Sequence, residues 1–367
     1  MSANTASPRG LVLDYLQFAP SIGEGLSIDE YAALIGRTTI GPRATLCEYA
    51  TVRADGETIR IGADAWFGPH ATAHIADQIR GSIIGDSPTI GRYGVAHACT
   101  LGDGVVIGEC SVVMDDASVG SHAVIAADSI VPPRKELAGG YLYAGHPAKP
   151  VRAISEDEAK AFAHALRNGE PPSELTSRRV PDWTKVVGEL ADRSAGAIVA
   201  HGRASRAANA FVAPTAIVKG DVDLGDDASI FFGCAVFAGD ARIEIGARTN
   251  VQDNCVFAPD RLRGDLLLGI GVTIGHNVEL GSGTIQDDAL IGMGSRVGDN
   301  VFVEKGGCIG AGAWVEPDTR VRAGWIWAGR PARPFRALKS EERAEFARAR
   351  DIYIAYSSDY RRKTASR

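Results

Sequence analysis

The 367-residue chain has no Cys-x-x-Cys motif, no apolar run approaching membrane-spanning length and no excess of basic residues. Each absence excludes something. The six cysteines (Cys47, Cys99, Cys110, Cys234, Cys255, Cys308) follow no framework spacing, so they read as reduced, mostly buried thiols and point to a cytoplasmic protein. Without about 20 consecutive apolar residues no spanning helix is expected, and no membrane partner. Lys and Arg number 39 against 45 Asp and Glu, a net charge of −6, which gives no case for a nucleic-acid surface. Residues 1–10 lack a charged segment followed by an apolar one, so no secretory signal is expected. The most patterned stretch, 88–131, also lacks the periods of 3.6 and 2 that mark helices and simple hairpin sheets.

What that stretch has instead is a period of six. Val95, Leu101, Ile107, Val113, Val119, Ile125 and Val131 recur at that interval, several followed by Gly. A hexapeptide repeat predicts a parallel β-helix, each hexapeptide a short strand and a corner, three to a coil. The 43 glycines, without collagen periodicity, suit such corners. The signal runs from Thr39 to about Val131, after an irregular start in which 26–36 forms a first strand or cap. Prolines at 147 and 150 end the solenoid, and Ser155 with Glu158 forms a capping box opening a helix to about Leu166. Residues 167–200 read as a linker with a short helix at 184–193.

The pattern then restarts 184 residues later. Gly41 falls on Gly225, Ile61 and Gly62 on Ile245 and Gly246, Ile90 and Gly91 on Ile274 and Gly275, and Phe162 on Phe346. One offset held from the first coils into the trailing helix implies tandem duplication: a domain over 1–166, the linker, and a second domain over 201–367. The second helix is longer, about 340–360, with Phe346, Ala349, Tyr353, Tyr356 and Tyr360 on one face, a stripe expected to pack on the solenoid. Of the eight histidines, His122, His146, His164 and His201 read as solvated surface residues. His70, His74, His97 and His276 lie on coils. Trp66, Phe67, Phe231 and Phe232 read as solenoid packing.

Residues 211–240, the group Arg53, Ala54 and Asp55, the group Asn250 to Asp253, the run Val272 to His276, the run Ala289 to Gly294 and the two Ala-Gly-(His/Arg)-Pro-Ala exits resemble the γ-class carbonic anhydrases, over roughly 38–166 and 208–360. The resemblance implies a mainly β fold of two tandem left-handed parallel β-helix domains, each followed by an α-helix. It also implies a Zn2+ site of three histidines shared between neighbouring units, Fe2+ or Co2+ being alternatives. Carried over residue by residue, the first domain has His74 and His97 with Arg92 at the remaining position, and the second has Ala258, His276 and Gly281. Neither domain completes the site with copies of itself, whereas His74, His97 and His276 supply each position once. Arg92 stays protonated and cannot ligate, so it is expected to pair with an acid.

By the same resemblance Arg53, Asp55 and Asp253 form ion pairs between units, Gln252 sits beside the metal-bound water, and Tyr353 overhangs the pocket. Three imidazoles leave a tetrahedral zinc one open position for water, whose pKa falls toward ~7. The implied activity is attack on CO2 or a related small carbonyl compound. A non-catalytic assembly subunit, with the histidines far apart, and a hexapeptide acyltransferase are the alternatives. The expected assembly is a homo-oligomer with three-fold or pseudo-three-fold domain packing, mixing the two domain types or borrowing a related third subunit. The residues leave open whether the shared site forms within a chain or between chains.

Overall fold

A computed structural model describes residues 10–181 and 205–365; the helix expected at 184–193 and His201 lie outside the described residues. The inward-facing residues set the coil length. Ile107 pairs in register with Ile125 and Val113 with Val131, in parallel and 18 residues apart, so three hexapeptides make one turn of the solenoid. Leu101, Ile107, Val113, Val119, Ile125 and Val131 are all buried. Val95 breaks the series, because it pairs with Val112 while Ala96 pairs with Val113. That coil is one residue short. Ala96 joins the prism interior, and Val95 joins Val112 and Ile130 in a separate cluster against Met293 of the other half.

Each half is a mainly β, parallel β-helix, and the two follow one another along the chain. The first half builds sheets of 12 and 8 strands and the second sheets of 11 and 8. The long strands Ala33–Ile40, Thr51–Ile61, Ile217–Leu224 and Ala235–Ile245 carry the chain round a corner without a break. At the bend within the first of these, Gly36 has φ +71°, and a Cβ there would sit 2.2 Å from the Ala54 carbonyl oxygen.

The start of the chain is more regular than its sequence suggests. Leu11–Leu13 pairs with Ala33, Leu34 and Ile35, and Ser21–Ile22 with Thr39 and Ile40, so a coil precedes the first recognisable hexapeptide. The loop at 14–20 interrupts the period and hides it from a pattern search. At the other end Tyr141–Gly145 folds back antiparallel on Ala148–Ala153, and Trp325–Gly329 does the same on Ala332–Ala337, which stops parallel stacking.

Helix α1, Glu156–Arg167, starts as the sequence indicates, with the Ser155 hydroxyl accepting from the Glu158 N–H. Its Ala159, Phe162 and Leu166 bury against Val106, Val124, Leu142 and the linker's Leu175. Helix α2, Ser340–Ala365, is longer than expected. Tyr353, Tyr356 and Tyr360 are buried in a core containing residues of both halves, among them Leu13, Ile35, Phe211 and Phe231. The Tyr15 hydroxyl donates to Asp359 at 2.6 Å and Lys363 Nζ to the Asp14 carbonyl at 2.9 Å. A helix of the second half is thereby fastened across the first. No described helix is long and apolar enough to cross a membrane.

Candidate metal centre

His74 ends strand Thr72–His74 and His97 ends strand Val95–His97, and the two residues pair in register on successive coils. In-register neighbours of parallel strands stand about 4.8 Å apart, so the side chains leave the solenoid side by side. His74 Nδ1 lies 3.2 Å from His97 Nε2. His276 comes from the other half, at the corner after strand Thr273–Ile274. Its ring centroid is 4.7 Å from that of His74 and 5.4 Å from that of His97. A nitrogen of each imidazole falls within 4.8 Å of the others, all inside one chain.

The approach of the two halves is what delivers His276. Asn277, its neighbour, accepts from the Thr72 hydroxyl at 2.7 Å and donates to the His70 carbonyl at 2.8 Å, while Asn254 donates to the same hydroxyl at 2.9 Å. Farther along the same corner, a Cβ on Gly294 would lie 2.8 Å from Val112, and one on Gly312 would lie 2.3 Å from Ile130. Cys110 and Asp128, the first-half counterparts of these glycines, adopt the same positive φ with full side chains. Space, and not the dihedral, requires glycine here.

Behind the histidines runs a buried charge network centred on Arg53, which has no exposed side-chain surface. Arg53 Nε donates to Asp253 Oδ2 at 2.9 Å, Nη2 approaches the same oxygen at 2.8 Å, and Nη1 donates to Asp55. The guanidinium also lies 4.8 Å from the centroid of Phe231, which meets Tyr353 edge-on at 5.1 Å. Asp253 Oδ2 is 3.1 Å from His276 Nδ1, and Asp55 Oδ2 is 3.7 Å from His74 Nε2. The third imidazole has a carboxylate of its own, with His97 Nδ1 donating to Asp115 Oδ1. Tyr360 donates to Asp55, and the Tyr353 hydroxyl sits 3.3 Å from His276 Nε2 and accepts from Arg53 Nη2 at 3.4 Å.

Burial decides the protonation of these groups. It pushes the Asp55 carboxyl up to about 6 against the opposing pull of Arg53, whereas Asp253, equally buried, is held below the usual range by Arg53 and His276. Desolvation lowers His276 to about 4 and His74 well below the ordinary imidazole value. Both rings are therefore neutral at pH 7 and carry a free lone pair, the form a metal needs. His74 Nε2 is buried without a hydrogen-bond partner. Three convergent imidazoles, His97 hydrogen-bonded to a carboxylate and His276 and His74 with one within 4 Å, fit a zinc-type ion with an open position.

The structure brings His74, His97, His276, Arg53, Asp55 and Tyr353 into one cluster. Gln252 is buried, but its amide donates to Asn250 Oδ1 at 3.4 Å instead of reaching an imidazole. Arg92 pairs with Glu109 at 2.7 Å and is half-exposed. His146 is not the solvated residue expected; burial lowers it to about 4. His70 is a packing residue, stacked between Tyr49 and Tyr93 at 4.8 and 4.6 Å between ring centroids. Phe67, Phe231 and Phe232 are fully buried in the cores, as expected. Sequence reasoning missed Asp115, which lies one 18-residue coil beyond His97, and treated Tyr360 as packing alone.

No family model matches the chain. It is 43% identical over 150 residues to γ carbonic anhydrase 1, mitochondrial, of Arabidopsis thaliana, covering 39% of this chain and 54% of that protein. Over 160 residues it is 36% identical to protein YrdA of Escherichia coli strain K12, covering 42% of this chain and 87% of that protein. A solved hexapeptide transferase family protein from Anaplasma phagocytophilum is 38% identical with a TM-score of 0.41, covering 43% of this chain and 92% of that one. The chain spans about half the length of the curated plant relatives it matches.

Proposed function

We propose that this chain, which belongs to the γ-carbonic-anhydrase-like hexapeptide-repeat family, is a metal-dependent enzyme with one site per chain, built jointly by its two halves. The observation that carries the reading is the convergence of His74 and His97 with His276 within 4.8 Å. The assembly-subunit alternative expects them far apart. The acyltransferase alternative gives no reason for three imidazoles to meet between the halves.

In this reading His74, His97 and His276 hold Zn2+, or Fe2+ or Co2+, which when bound supplies an activated water at neutral pH. The chain's own residues do the rest. Asp253 and Asp115 orient the imidazoles of His276 and His97. Arg53 holds Asp253 and Asp55 in place and offsets part of their charge. The Tyr353 hydroxyl, whose pKa burial raises further above its ordinary value, offers a donor beside His276 that could steady charge developing on a substrate oxygen. Gln252 is a pocket-wall residue, with its amide toward Asn250. The proposed substrate is CO2/bicarbonate or a small carbonyl compound, the proposed assembly an oligomer with three-fold or pseudo-three-fold packing, and the six free cysteines support a cytoplasmic setting. The proposed domain division, 1–166 and 201–367 with 167–200 between them, follows the duplication.

Metal content measured after anaerobic purification, together with a CO2 hydration assay, tests the reading. It expects about one metal ion per chain and activity lost equally in His74→Ala and His276→Ala. A chain that purifies and reconstitutes without stoichiometric metal overturns it.

A further inference from the structure

We infer that Asp115 is a positioning residue of the metal centre, dedicated to His97. The inference rests on the three-histidine reading above. A carboxylate only accepts, so the contact from His97 Nδ1 to Asp115 Oδ1 puts the ring proton on Nδ1 and leaves the Nε2 lone pair facing His74 and His276. Asp253 and Asp55 are shared with Arg53, and Asp55 with Tyr360 as well. Asp115 has no such second duty: among the described residues His97 is the one side chain its carboxylate hydrogen-bonds or pairs with.

The duplication supplies an internal control. The counterpart of Asp115 in the second half is Asp299, and the counterpart of His97 is Gly281. Where the imidazole is missing, the same carboxylate turns to the backbone. Asp299 Oδ1 accepts from the Ser282 N–H at 2.7 Å and from the Asp260 N–H at 3.3 Å. That is the ordinary use of aspartate at these corners: Asp86 accepts from the Ala63 N–H at 2.7 Å and Asp103 from the Asp86 N–H at 2.8 Å. Asp115 has given up this corner bond in favour of the ring. A solenoid aspartate has thus been redirected from a corner N–H to the ring, which fixes which nitrogen of His97 faces the centre.

The test is equilibrium metal affinity of the full-length chain, measured with Co2+ and Zn2+ by chelator competition, with the Co2+ absorption spectrum as the record of ligand geometry. Asp115→Ala should bind about 10- to 100-fold more weakly with an altered Co2+ spectrum, the range for losing a carboxylate partner of a ligating histidine. Asp115→Asn keeps an acceptor for Nδ1–H and should recover much of the loss. Asp299→Ala should lower thermal stability and leave metal affinity unchanged. Wild-type affinity and spectrum in Asp115→Ala would overturn the inference while leaving the three-histidine site standing. Equal weakening by Asp115→Ala and Asp299→Ala would overturn it too, because the effect would then be general to the fold. A wild-type chain that binds neither ion would sink the site itself, and the inference with it.

Discussion

The two halves share a fold and a register, yet one face has been kept apolar and its twin has become largely polar. In the first half that face carries Val95, Val112 and Ile130, buried against the corner of the second half. Their counterparts in the second half are Glu279, Arg296 and Trp314. Glu279 and Arg296 form an ion pair at 3.2 Å, and Trp314 is 43% exposed. The corners diverge in the same sense. The second half offers Gly294 and Gly312 where the first has Cys110 and Asp128. Linker residues cover the first-half corner, with Ser177 N–H donating to Glu109 at 2.8 Å and the Ser177 hydroxyl to Asp128 at 3.0 Å.

The histidines follow the same division. The retained interface has all three, and the positions that would form a mirror site hold Arg92, Ala258 and Gly281. Even the helices agree, since Tyr353 on α2 corresponds to Gly169, just past the end of α1. Histidines, apolar face, glycine corner and tyrosine helix have been kept together or lost together. A duplicated domain needs only one functional contact between its copies, and the surfaces left over are free to become polar.

The comparison can be broken most severely at His276. His276→Ala, a single change in the second half, should abolish metal retention as completely as His74→Ala in the first, checked by metal analysis of the gel-filtered protein. Next comes Arg53→Met, which leaves Asp55 and Asp253 buried without their counter-charge. Removing one member of a buried ionic group costs about 3–5 kcal/mol, read from the urea midpoint. Gly294→Cys, which installs the first-half residue in the second half, should cost about 1–3 kcal/mol through overpacking against Val112 and weaken metal binding without touching a histidine. The smallest expected effect is on acid stability. The metal-free chain buries His74 and His276 with pKa values below the unfolded 6.5, so the unfolded chain binds more protons as pH falls below that value. Stability should therefore hold above about pH 6.5 and decline between 6.5 and 4. Saturating Zn2+ should raise stability across this range without removing the decline, because the protons are taken up by the unfolded chain while the folded imidazoles stay neutral with or without the metal.

Much of this was legible before any coordinates. Six-residue periodicity dictates a parallel solenoid because no other regular backbone keeps that interval facing one core. The fixed offset of 184 residues shows the duplication, and the resemblance then picks out His74, His97 and His276. The first coil escaped notice because its loop breaks the period, and Val95 was misread because a coil one residue short turns a core position outward. Asp115 and Tyr360 were invisible as site residues. One is a corner aspartate like several others, the other a stripe residue that looks like any apolar helix face.

Sequence alone determined the solenoid, its repetition and the complementary loss of histidines, since these depend on residue type and spacing along the chain. Tertiary structure decided that the three imidazoles meet inside one chain, that Arg53 bridges two buried carboxylates, and that Asp115 contacts His97. Those depend on how closely two coils approach across an interface. That distance is set by Gly294, Gly312 and the Asn277–Thr72 contact, and each of them acquires its meaning only from the residue on the opposite face.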